Sequence, residues 1–309
     1  MGKILIKTNG ILQDKTIGYS SFLTMLAKYL LHYNIVLEAG MSNDCDLYLL
    51  NNLDQSLYNP NIKNILRMDG FGHEFNAVDK AKFLCQQCDH IIYQSIYVKE
   101  YSEHLLGKFK NCSIIYNGIE ILGNINCGQN TQRINIGSII HNWIQERSEN
   151  CIKFLIAFRK FSEKFPNLMT YYVVGNTDSW EFKKIVKQDF NDLNIIFTGL
   201  LDRDNLDKLR RTLSFVVHLP KFGWSDNSII ESLNYGLPVL YLRGTATAEL
   251  VKNAGTQIDD INDINGIVNK IKEMYDNLES YSNNALSRRY EFDINKIAEQ
   301  YASVIKSVL

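Results

Sequence analysis

The feature that most constrains the fold of this sequence is a repeated alternation of short apolar segments with segments of helical spacing. The apolar segments of the first half are predicted as buried strands. They are Lys3–Lys7, Ile35–Ala39, Asp46–Leu50, Asn64–Met68, His90–Gln94 and Ser113–Asn117. Between the first two, apolar residues recur at helical spacing from Phe22 to Leu30. Such strand-then-helix units predict a parallel sheet with right-handed crossovers.

The alternation restarts after a polar, Gly-containing segment without periodicity, which is predicted as a linker. The strands predicted in the second half are Ile134–Ser138, Thr170–Gly175, Asn194–Gly199, Ser214–Leu219, Pro238–Leu242 and Thr256–Asp259. We therefore predict an α/β protein with two Rossmann-like parallel-sheet domains facing a cleft. The expected boundaries are 1–118 for the N-terminal domain, 119–133 for the linker and 134–290 for the C-terminal domain.

Residues 291–309 have the pattern of an amphipathic helix, with apolar residues such as Ile294, Ile297 and Tyr301 at helical spacing. This helix either crosses back to the N-terminal domain or caps its own domain. The sequence leaves both placements open.

The charge balance argues against nucleic acid as a partner. The chain has 33 Lys and Arg against 34 Asp and Glu, a formal net charge of -1, and no basic run. No apolar run approaches the ~18 residues of a membrane-spanning helix, and the six cysteines are scattered. We expect a cytoplasmic protein with reduced thiols and no transmembrane segment. Its oligomeric state is not predicted.

The Cys85-Gln-Gln-Cys88 sequence lies in a helical pattern and is followed by no second pair of Cys or His with ligand spacing. We therefore expect neither redox chemistry nor a zinc site there.

The stretch from Ser214 to Gly255 has the pattern of a phosphate-binding site. An apolar strand is followed by a turn-rich loop, a short helix that starts near Ser228 and a second strand from Pro238. The free N–H groups of a helix N-terminus at a strand end favour phosphate, and Glu231 can meet sugar hydroxyls there. The alternative is structural, because Ser228 and Glu231 also fit a capping box.

This stretch resembles the nucleotide-binding segment of the GT-B glycosyltransferases, especially family 4. The family pattern is an acid, seven residues, then Glu-Ala and Gly-Leu-Pro-Val. Glu231-Ser232 and Gly236-Leu237-Pro238-Val239 match it, whereas Gly223 stands at the place of the first acid. The resemblance implies that Glu231 binds the ribose hydroxyls of a nucleotide donor.

The same resemblance implies further donor-binding positions in this loop. The backbone around Ser225, Asn227 and Ser228 holds the diphosphate or the sugar in this interpretation. Asp226, three residues after Gly223, is the candidate to reach the space of the missing acid.

Other donor-side candidates come from glycine-rich turns. They are Gly18 at the start of the first long helix, Gly137 and Ser138 after the first strand of the second half, and Gly199 at the end of a later strand. In the family, the turn after Gly137 leads to an Arg and a Lys that neutralise the leaving diphosphate, a charge that must be stabilised for the bond to break.

Arg147 is the candidate for the family's Arg, with Lys153 as a second choice, and Glu149 stands at the place of the Lys. A solvated surface arginine is the alternative for Arg147, and helix capping is the alternative for Gly18.

On the first half, Arg67-Met68-Asp69-Gly70 ends a strand and opens a loop that contains His73. With Tyr93-Gln94-Ser95 and Tyr116-Asn117-Gly118, it resembles the acceptor-side domain of a family 4 subgroup. The resemblance implies catalytic or acceptor-binding roles for Asp69 and His73. The alternatives are a turn-forming role for Asp69 and a solvated His73.

Taken together, the resemblance implies a retaining, metal-independent glycosyltransferase. It would move a sugar from a nucleotide-diphosphate donor to a glycan or other hydroxyl acceptor, with no cofactor besides the donor substrate. Asp202-Arg203-Asp204 precedes a helix and is interpreted as its cap, so we expect no metal. Two other functions stay open: a nucleotide-sugar epimerase, and a non-catalytic nucleotide-sugar or glycan-binding protein, which Gly223 and Glu149 favour.

Overall fold

The computed structural model describes residues 2–9, 18–51, 53, 55–70, 77–123, 125, 134–164, 169–177, 181–221 and 226–309. This part of the chain forms two compact units. The first contains the described residues from 2 to 121, from 226 to 227 and from 291 to 309, and the second contains those from 122 to 221 and from 228 to 290. Every strand predicted from the sequence is present among the described residues, which confirms the α/β class.

The first unit alternates strands and helices. Its strands are β1 (Ile4–Thr8), β2 (Ile35–Ala39), β3 (Leu47–Leu50), β4 (Lys63–Met68), β5 (His90–Tyr93) and β6 (Cys112–Ile114). Its helices are α1 (Gly18–Leu30), α2 (Ala77–Gln87) and α3 (Ile96–Leu106), joined by the late helix α11 (Ile294–Val308). All strand pairs are parallel, in the order β2-β1-β3-β4-β5-β6.

Side chains of this sheet alternate between two buried layers, as the period of a strand requires. Leu47 and Leu49 of β3 pack in one core cluster, and Tyr48 and Leu50 of the same strand pack in the other. Burial on both faces explains why these strands are almost continuously apolar.

Helix α11 belongs to the first of these layers. Its buried residues Ile294, Ile297, Tyr301 and Ile305 pack in the same cluster as Phe22 of α1. At the first residue of the helix, the Ile294 N–H donates to the Ile119 carbonyl. The first unit is therefore built from stretches of the chain that are far apart in sequence.

The second unit contains β7 (Ile134–Asn142), β8 (Met169–Asn176), β9 (Ile195–Gly199), β10 (Phe215–His218), β11 (Val239–Leu242) and β12 (Gly255–Ile258). Its helices are α4 (Gln145–Ser162), α5 (Phe182–Asp189), α6 (Arg203–Arg210), α7 (Asn227–Asn234), α8 (Thr247–Val251), α9 (Ile264–Asp276) and α10 (Leu278–Arg288). The first residue of α7, Asn227, lies with the first unit. The strands are again parallel, in the order β12-β11-β10-β7-β8-β9.

Strand β7 is longer than the sequence predicts, since it runs to Asn142 and not only to Ser138. It shifts register against β8 near its end. Gly175 of β8 makes this possible: its φ is +123°, and a Cβ there would lie 1.7 Å from the Ile140 carbonyl oxygen. Only glycine allows the two strands to approach so closely.

Candidate functional site

The second sheet reverses its strand order between β7 and β10. From β7 the chain continues outward through β8 and β9, then places β10, β11 and β12 on the other side. In an open parallel sheet, ligands bind outside the carboxyl ends of the strands at such a reversal. The segments that leave these two strands, 142–144 and 219–221, therefore border the candidate donor site.

These two segments are connected through the first turns of α4. Glu146 Oε1 accepts hydrogen bonds from the Lys221 N–H at 2.7 Å and from Asn150 Nδ2 at 2.8 Å. Asn150 Nδ2 also donates to the Leu219 carbonyl at 2.9 Å. A carboxylate and an amide on one helix thus hold the chain that leaves β10, a contact that no sequence motif predicted.

Arg147 lies in the first turn of α4, half-buried, and its Nη1 donates to the Asn142 carbonyl at 2.9 Å. The side chain is therefore folded back over the end of β7. Glu149 is exposed and accepts a hydrogen bond from Gln145 Nε2 at 2.9 Å. Lys153 is half-buried further along the helix. Among the candidates for stabilising a diphosphate, Arg147 is the cation at the strand end.

Glu231 on α7 is paired with a buried arginine. Arg210, the last residue of α6, donates from Nη2 to Glu231 Oε2. The Arg210 side chain is 3% exposed, whereas that of Glu231 is 35% exposed. The carboxylate is therefore held on its inner side and reaches solvent on its outer side.

The start of α7 differs from the predicted capping box. Ser228 lies inside the helix, where its carbonyl accepts a hydrogen bond from Ser232 Oγ at 2.6 Å. The partner of Glu231 is Arg210 and not a backbone N–H of the first turn. Asp226 precedes the helix and is half-buried. Within the first unit, Asn227 Oδ1 accepts a hydrogen bond from Asn117 Nδ2 at 2.6 Å.

Two of the predicted donor-site residues are used inside the sheet. Ser138 is buried in β7, and its Oγ donates to the Val217 carbonyl at 2.7 Å and lies 2.6 Å from the Tyr171 hydroxyl. Gly137 packs against Leu213, which leaves no room for a Cβ. Both lie within the extended β7 and not in the turn that follows it.

Gly199 ends the edge strand β9 with a φ of +71°. Strand β8 separates it from the reversal between β7 and β10. In the order of the strands, Gly199 therefore lies away from α7, the helix that carries Glu231.

The first unit has its own strand-end cluster, centred on Arg67 of β4. This side chain is fully buried, and hydrogen bonds engage every guanidinium nitrogen. Its Nε donates to the Tyr301 hydroxyl at 3.2 Å, Nη1 to Asn51 Oδ1 at 2.7 Å and to Asp69 Oδ2, and Nη2 to Gln94 Oε1 at 3.5 Å and Asn117 Oδ1 at 2.5 Å. We call these residues the Arg67 network.

Asp69 follows β4 and is the one carboxylate of the Arg67 network. Its side chain is 30% exposed, and its Oδ1 has no hydrogen-bond partner among the described residues. Burial raises the pKa of Asp69, and the positive charge of Arg67 opposes that shift. The turn-forming alternative also has a structural basis, since the Asp69 carbonyl accepts a hydrogen bond from Gln94 Nε2 and Gly70 has a φ of +128°.

Several predicted positions carry less structural information. His73, Gly223 and Ser225 lie outside the described residues. Gly18 is the first residue of α1. Within the described ranges, no group of three or more His, Cys, Asp or Glu side chains could hold a metal ion.

The Cys-x-x-Cys pair lies at the end of α2, with Cys85 buried and Cys88 half-buried, and both thiols are free. Burial raises the pKa of each thiol to about 12. Thiols with such a pKa are protonated at neutral pH and are poor nucleophiles and metal ligands. Of the helices in the described ranges, none has the length and apolar character to span a lipid bilayer.

Comparisons with known proteins identify the fold of this chain. No family model matches the sequence, and no curated protein matches it significantly. Solved structures do match. Anabaena HepE, solved in complex with UDP and glucose, is 16% identical with a TM-score of 0.75, over 98% of this chain and 99% of that chain. Sucrose-phosphate synthase from Thermosynechococcus elongatus is 12% identical with a TM-score of 0.78, over 99% of both chains.

A glycosyltransferase from Rickettsia africae is 13% identical with a TM-score of 0.72, over 99% of this chain and 98% of that chain. The likeness therefore covers both units and extends over nearly the full length of each chain. The chain has the GT-B fold. At these identities the likeness is one of fold.

Within this GT-B fold, the sequence identified the helix of Glu231 and the strand end of Asp69 but missed what holds them. Arg210 and Arg67 are both buried. Arg210 binds Glu231, and Arg67 binds Asp69. A buried arginine has no periodic signal of its own, since its partners are set by the tertiary fold. The available hint is a general one: an arginine is rarely fully buried, and a buried arginine requires a partner.

Proposed function

We propose that this chain is a glycosyltransferase similar to family 4, which moves a sugar from a nucleotide-diphosphate donor to a hydroxyl of an acceptor. The observation that carries the proposal is the fold likeness over the whole chain to HepE, whose solved structures include a complex with UDP-glucose, at 14% identity and a TM-score of 0.74. UDP-sugars are therefore the first donors to test.

The donor is proposed to bind at the strand reversal of the second unit. The backbone N–H groups in the first turn of a helix are suited to phosphate, and Glu231 is partly exposed four residues after the start of α7. Its carboxylate would accept hydrogen bonds from the ribose hydroxyls. Arg147, folded over the Asn142 carbonyl at the end of β7, would stabilise the charge that builds on the leaving diphosphate.

The acceptor is proposed to bind through Asp69 of the first unit. Arg67 holds Oδ2 of this carboxylate, whereas Oδ1 is buried without a hydrogen-bond partner among the described residues and would be the oxygen that accepts a hydrogen bond from an acceptor hydroxyl. His73 is proposed as an acceptor-side group on the sequence alone, and Asp226 as the residue that meets the donor sugar in place of the missing acid.

The proposed reaction is retaining and needs no metal, as the resemblance implies. The bond between the anomeric carbon and the phosphate oxygen breaks, and a bond from the acceptor oxygen to the same carbon forms on the same face. The acceptor proton passes to the departing phosphate, so no strong base is required. Catalysis then depends on positioning and on stabilising the leaving group. Turnover in excess EDTA and NMR of the product's anomeric proton test both features.

Calorimetry with UDP-, GDP- and ADP-sugars, followed by assays of nucleotide release with and without saccharide acceptors, tests the function. We expect binding of one donor class and acceptor-stimulated release. Isomerisation of the sugar without an acceptor would indicate the epimerase instead. Binding without any turnover would indicate the non-catalytic protein, which Gly223 and the exposed Glu149 favour.

A variant series connects the function to the site. Glu231→Ala should weaken donor binding about tenfold, because a charge-assisted hydrogen bond is worth roughly 1.5 kcal/mol or more. Glu279→Ala on α10, which replaces an exposed glutamate, is the matched control. Unchanged nucleotide affinity in Glu231→Ala, together with a large loss of stability, would show that Glu231 is structural.

A further inference from the structure

Arg210 lies in an unusual setting for a surface helix. It is the last residue of α6, yet its side chain is 3% exposed. Two carboxylates lie against the guanidinium: Glu231 on α7, and Asp207 one turn earlier on α6 at 3.4 Å. The guanidinium carbon also lies 5.8 Å from the ring centroid of Tyr235.

This arrangement is a short chain of polar contacts that ends at Glu231. The Tyr235 hydroxyl is hydrogen-bonded to Asp207, and burial, followed by this contact, raises the pKa of Tyr235 to about 12. Asp207 pairs with Arg210, which in turn binds Glu231. The members before Glu231 are fixed by burial or by their neighbours, so the position of Arg210 is determined before any ligand binds.

The contact uses only part of the Glu231 carboxylate. Arg210 donates to Oε2, and an ionised carboxylate has about four acceptor positions on its two oxygens. The inner side of the group is therefore held by a buried cation while the group retains capacity for donors from solvent. A carboxylate held in one rotamer loses less freedom when it binds a ligand than a mobile one does.

We propose that Arg210 is a positioning residue, which fixes the Glu231 carboxylate for the ribose hydroxyls of the donor and thereby sets the preference for a ribonucleotide over its 2′-deoxy counterpart. This inference depends on the proposed function, in which Glu231 binds the ribose. Arg210 contacts no substrate in this role and acts through Glu231.

The alternative is that Arg210 only joins α6 to α7. A structural role would loosen the site as a whole when the arginine is lost, and would weaken all nucleotides alike. A positioning role would weaken only the contact to the ribose. The 2′-deoxy nucleotide separates the two, since it lacks one of the hydroxyls that Glu231 would bind.

The experiment measures dissociation constants by calorimetry on the full chain. UDP, GDP and ADP are compared first, and the tightest of them is then paired with its 2′-deoxy form. In the unaltered protein we expect the ribonucleotide to bind about tenfold more tightly, as expected for loss of a hydrogen bond to a charged group. In Arg210→Met that ratio should fall toward one: the ribonucleotide loses two positioned contacts to Glu231 and the deoxynucleotide, which keeps its 3′-hydroxyl, loses one, so the deoxynucleotide weakens by the smaller factor.

The neighbouring arginine is a matched control. Arg211 is exposed, and its guanidinium carbon lies 5.4 Å from the same Tyr235 ring. Arg211→Met should keep the ratio of the unaltered protein. The double variant Arg210→Met/Glu231→Ala should bind no more weakly than Glu231→Ala alone, because Arg210 acts through Glu231. Arg210→Lys, which keeps the charge but not the planar fork, should restore the ratio only in part and also serves if Arg210→Met does not fold.

The proposal for Arg210 is overturned if Arg210→Met weakens binding of the two nucleotides by the same factor. It is also overturned if the loss of affinity caused by Arg210→Met adds fully to the loss caused by Glu231→Ala in the double variant. An unchanged ratio of ribonucleotide to deoxynucleotide affinity in Arg210→Met would also overturn it. These outcomes leave the glycosyltransferase proposal intact. That proposal, and this one with it, fails if the unaltered chain binds none of the ribonucleotides.

Discussion

Arg67 in the first unit and Arg210 in the second are both buried arginines that hold a carboxylate at a candidate site, but their surroundings differ. Arg67 has five hydrogen bonds to five residues, four of which are uncharged. Arg210 is held by two partly exposed carboxylates and an aromatic ring. The first is a closed network inside the protein, and the second is a cation at the edge of solvent.

This difference predicts that one arginine matters mainly for stability and the other mainly for ligand binding. Removal of a fully enclosed cation leaves the buried amide groups of Asn51, Gln94 and Asn117 without this donor, and little water reaches them to replace it. Removal of Arg210 leaves Glu231 and Asp207, which water can reach. We therefore expect the Arg67 network to determine whether the first unit folds, and Arg210 to determine how the second unit binds its ligand.

The largest expected effect is that of Arg67→Met. It should lower the free energy of unfolding by about 3–5 kcal/mol, because Asp69 is left as an unpaired carboxylate and three amide side chains lose their donor. Urea unfolding followed by circular dichroism measures it. Arg210→Met provides the comparison, with an expected loss of about 1–2 kcal/mol, since its partners are exposed to solvent. Equal losses would remove the distinction between the two regions.

Tyr301→Phe tests whether α11 is part of the Arg67 network. The ring and its packing remain, but Nε of Arg67 loses the hydroxyl that accepts its hydrogen bond at 3.2 Å. We expect a loss of about 1–2 kcal/mol in the same unfolding experiment. Tyr275→Phe, at an exposed position on α9, is the control and should change stability by less than about 0.5 kcal/mol. A loss no larger than the control's would mean that this hydrogen bond is not needed.

A smaller effect depends on pH. Burial raises the pKa of Asp69 and Arg67 opposes this, so Arg67→Met should raise it further. A carboxyl group whose folded pKa is raised contributes stability that is present at low pH and lost as pH rises through that pKa. The deficit of Arg67→Met relative to the unaltered protein should therefore be smaller in mildly acidic than in mildly alkaline buffer.

Among the described residues, Tyr301 is a second titratable group beside Arg67, and burial raises its pKa to about 12, so it stays neutral over this range. The control compares Arg67→Met/Asp69→Asn with Asp69→Asn, two variants without this carboxylate, and the difference in their stability should not change with pH. A deficit that grows toward acid would contradict the assigned role of Asp69.

The smallest expected effect is that of Asp207→Asn. Its carboxylate is partly exposed and lies 3.4 Å from Arg210, so the ion pair is screened by solvent. We expect a loss of about 0.5–1 kcal/mol in urea unfolding, in the range of exposed ion pairs. A loss as large as that of Arg67→Met would show that the second region is as closed as the first.

The fold was predictable because each strand has a local signal. In β3 and β11, continuous apolar residues reflect burial on both faces of a parallel sheet, and helices such as α1 show a different period. The length of β7 was not predictable. Its extension to Asn142 depends on Gly175 in the neighbouring strand, which no local pattern of β7 contains.

The site was predictable only in part, and for the same reason. Glu231 and Asp69 lie in short motifs, but Arg210 is 21 residues from Glu231, and Arg67 is 234 residues from Tyr301. Contacts over such separations have no local pattern. The capping box was a correct local pattern overridden by tertiary structure, since Arg210 supplies a stronger partner for Glu231 than a backbone N–H does.

The discontinuous first unit has a consequence for how the protein is made. Its core includes Ile294, Ile297, Tyr301 and Ile305, which a ribosome adds only after the entire second unit. During synthesis, the second unit can therefore finish folding while the first still lacks one of its helices. Until α11 has been synthesised, Arg67 lacks the Tyr301 hydroxyl that accepts the hydrogen bond from its Nε. The apolar face of α1 is also uncovered during this time, and such a surface is suited to binding by chaperones.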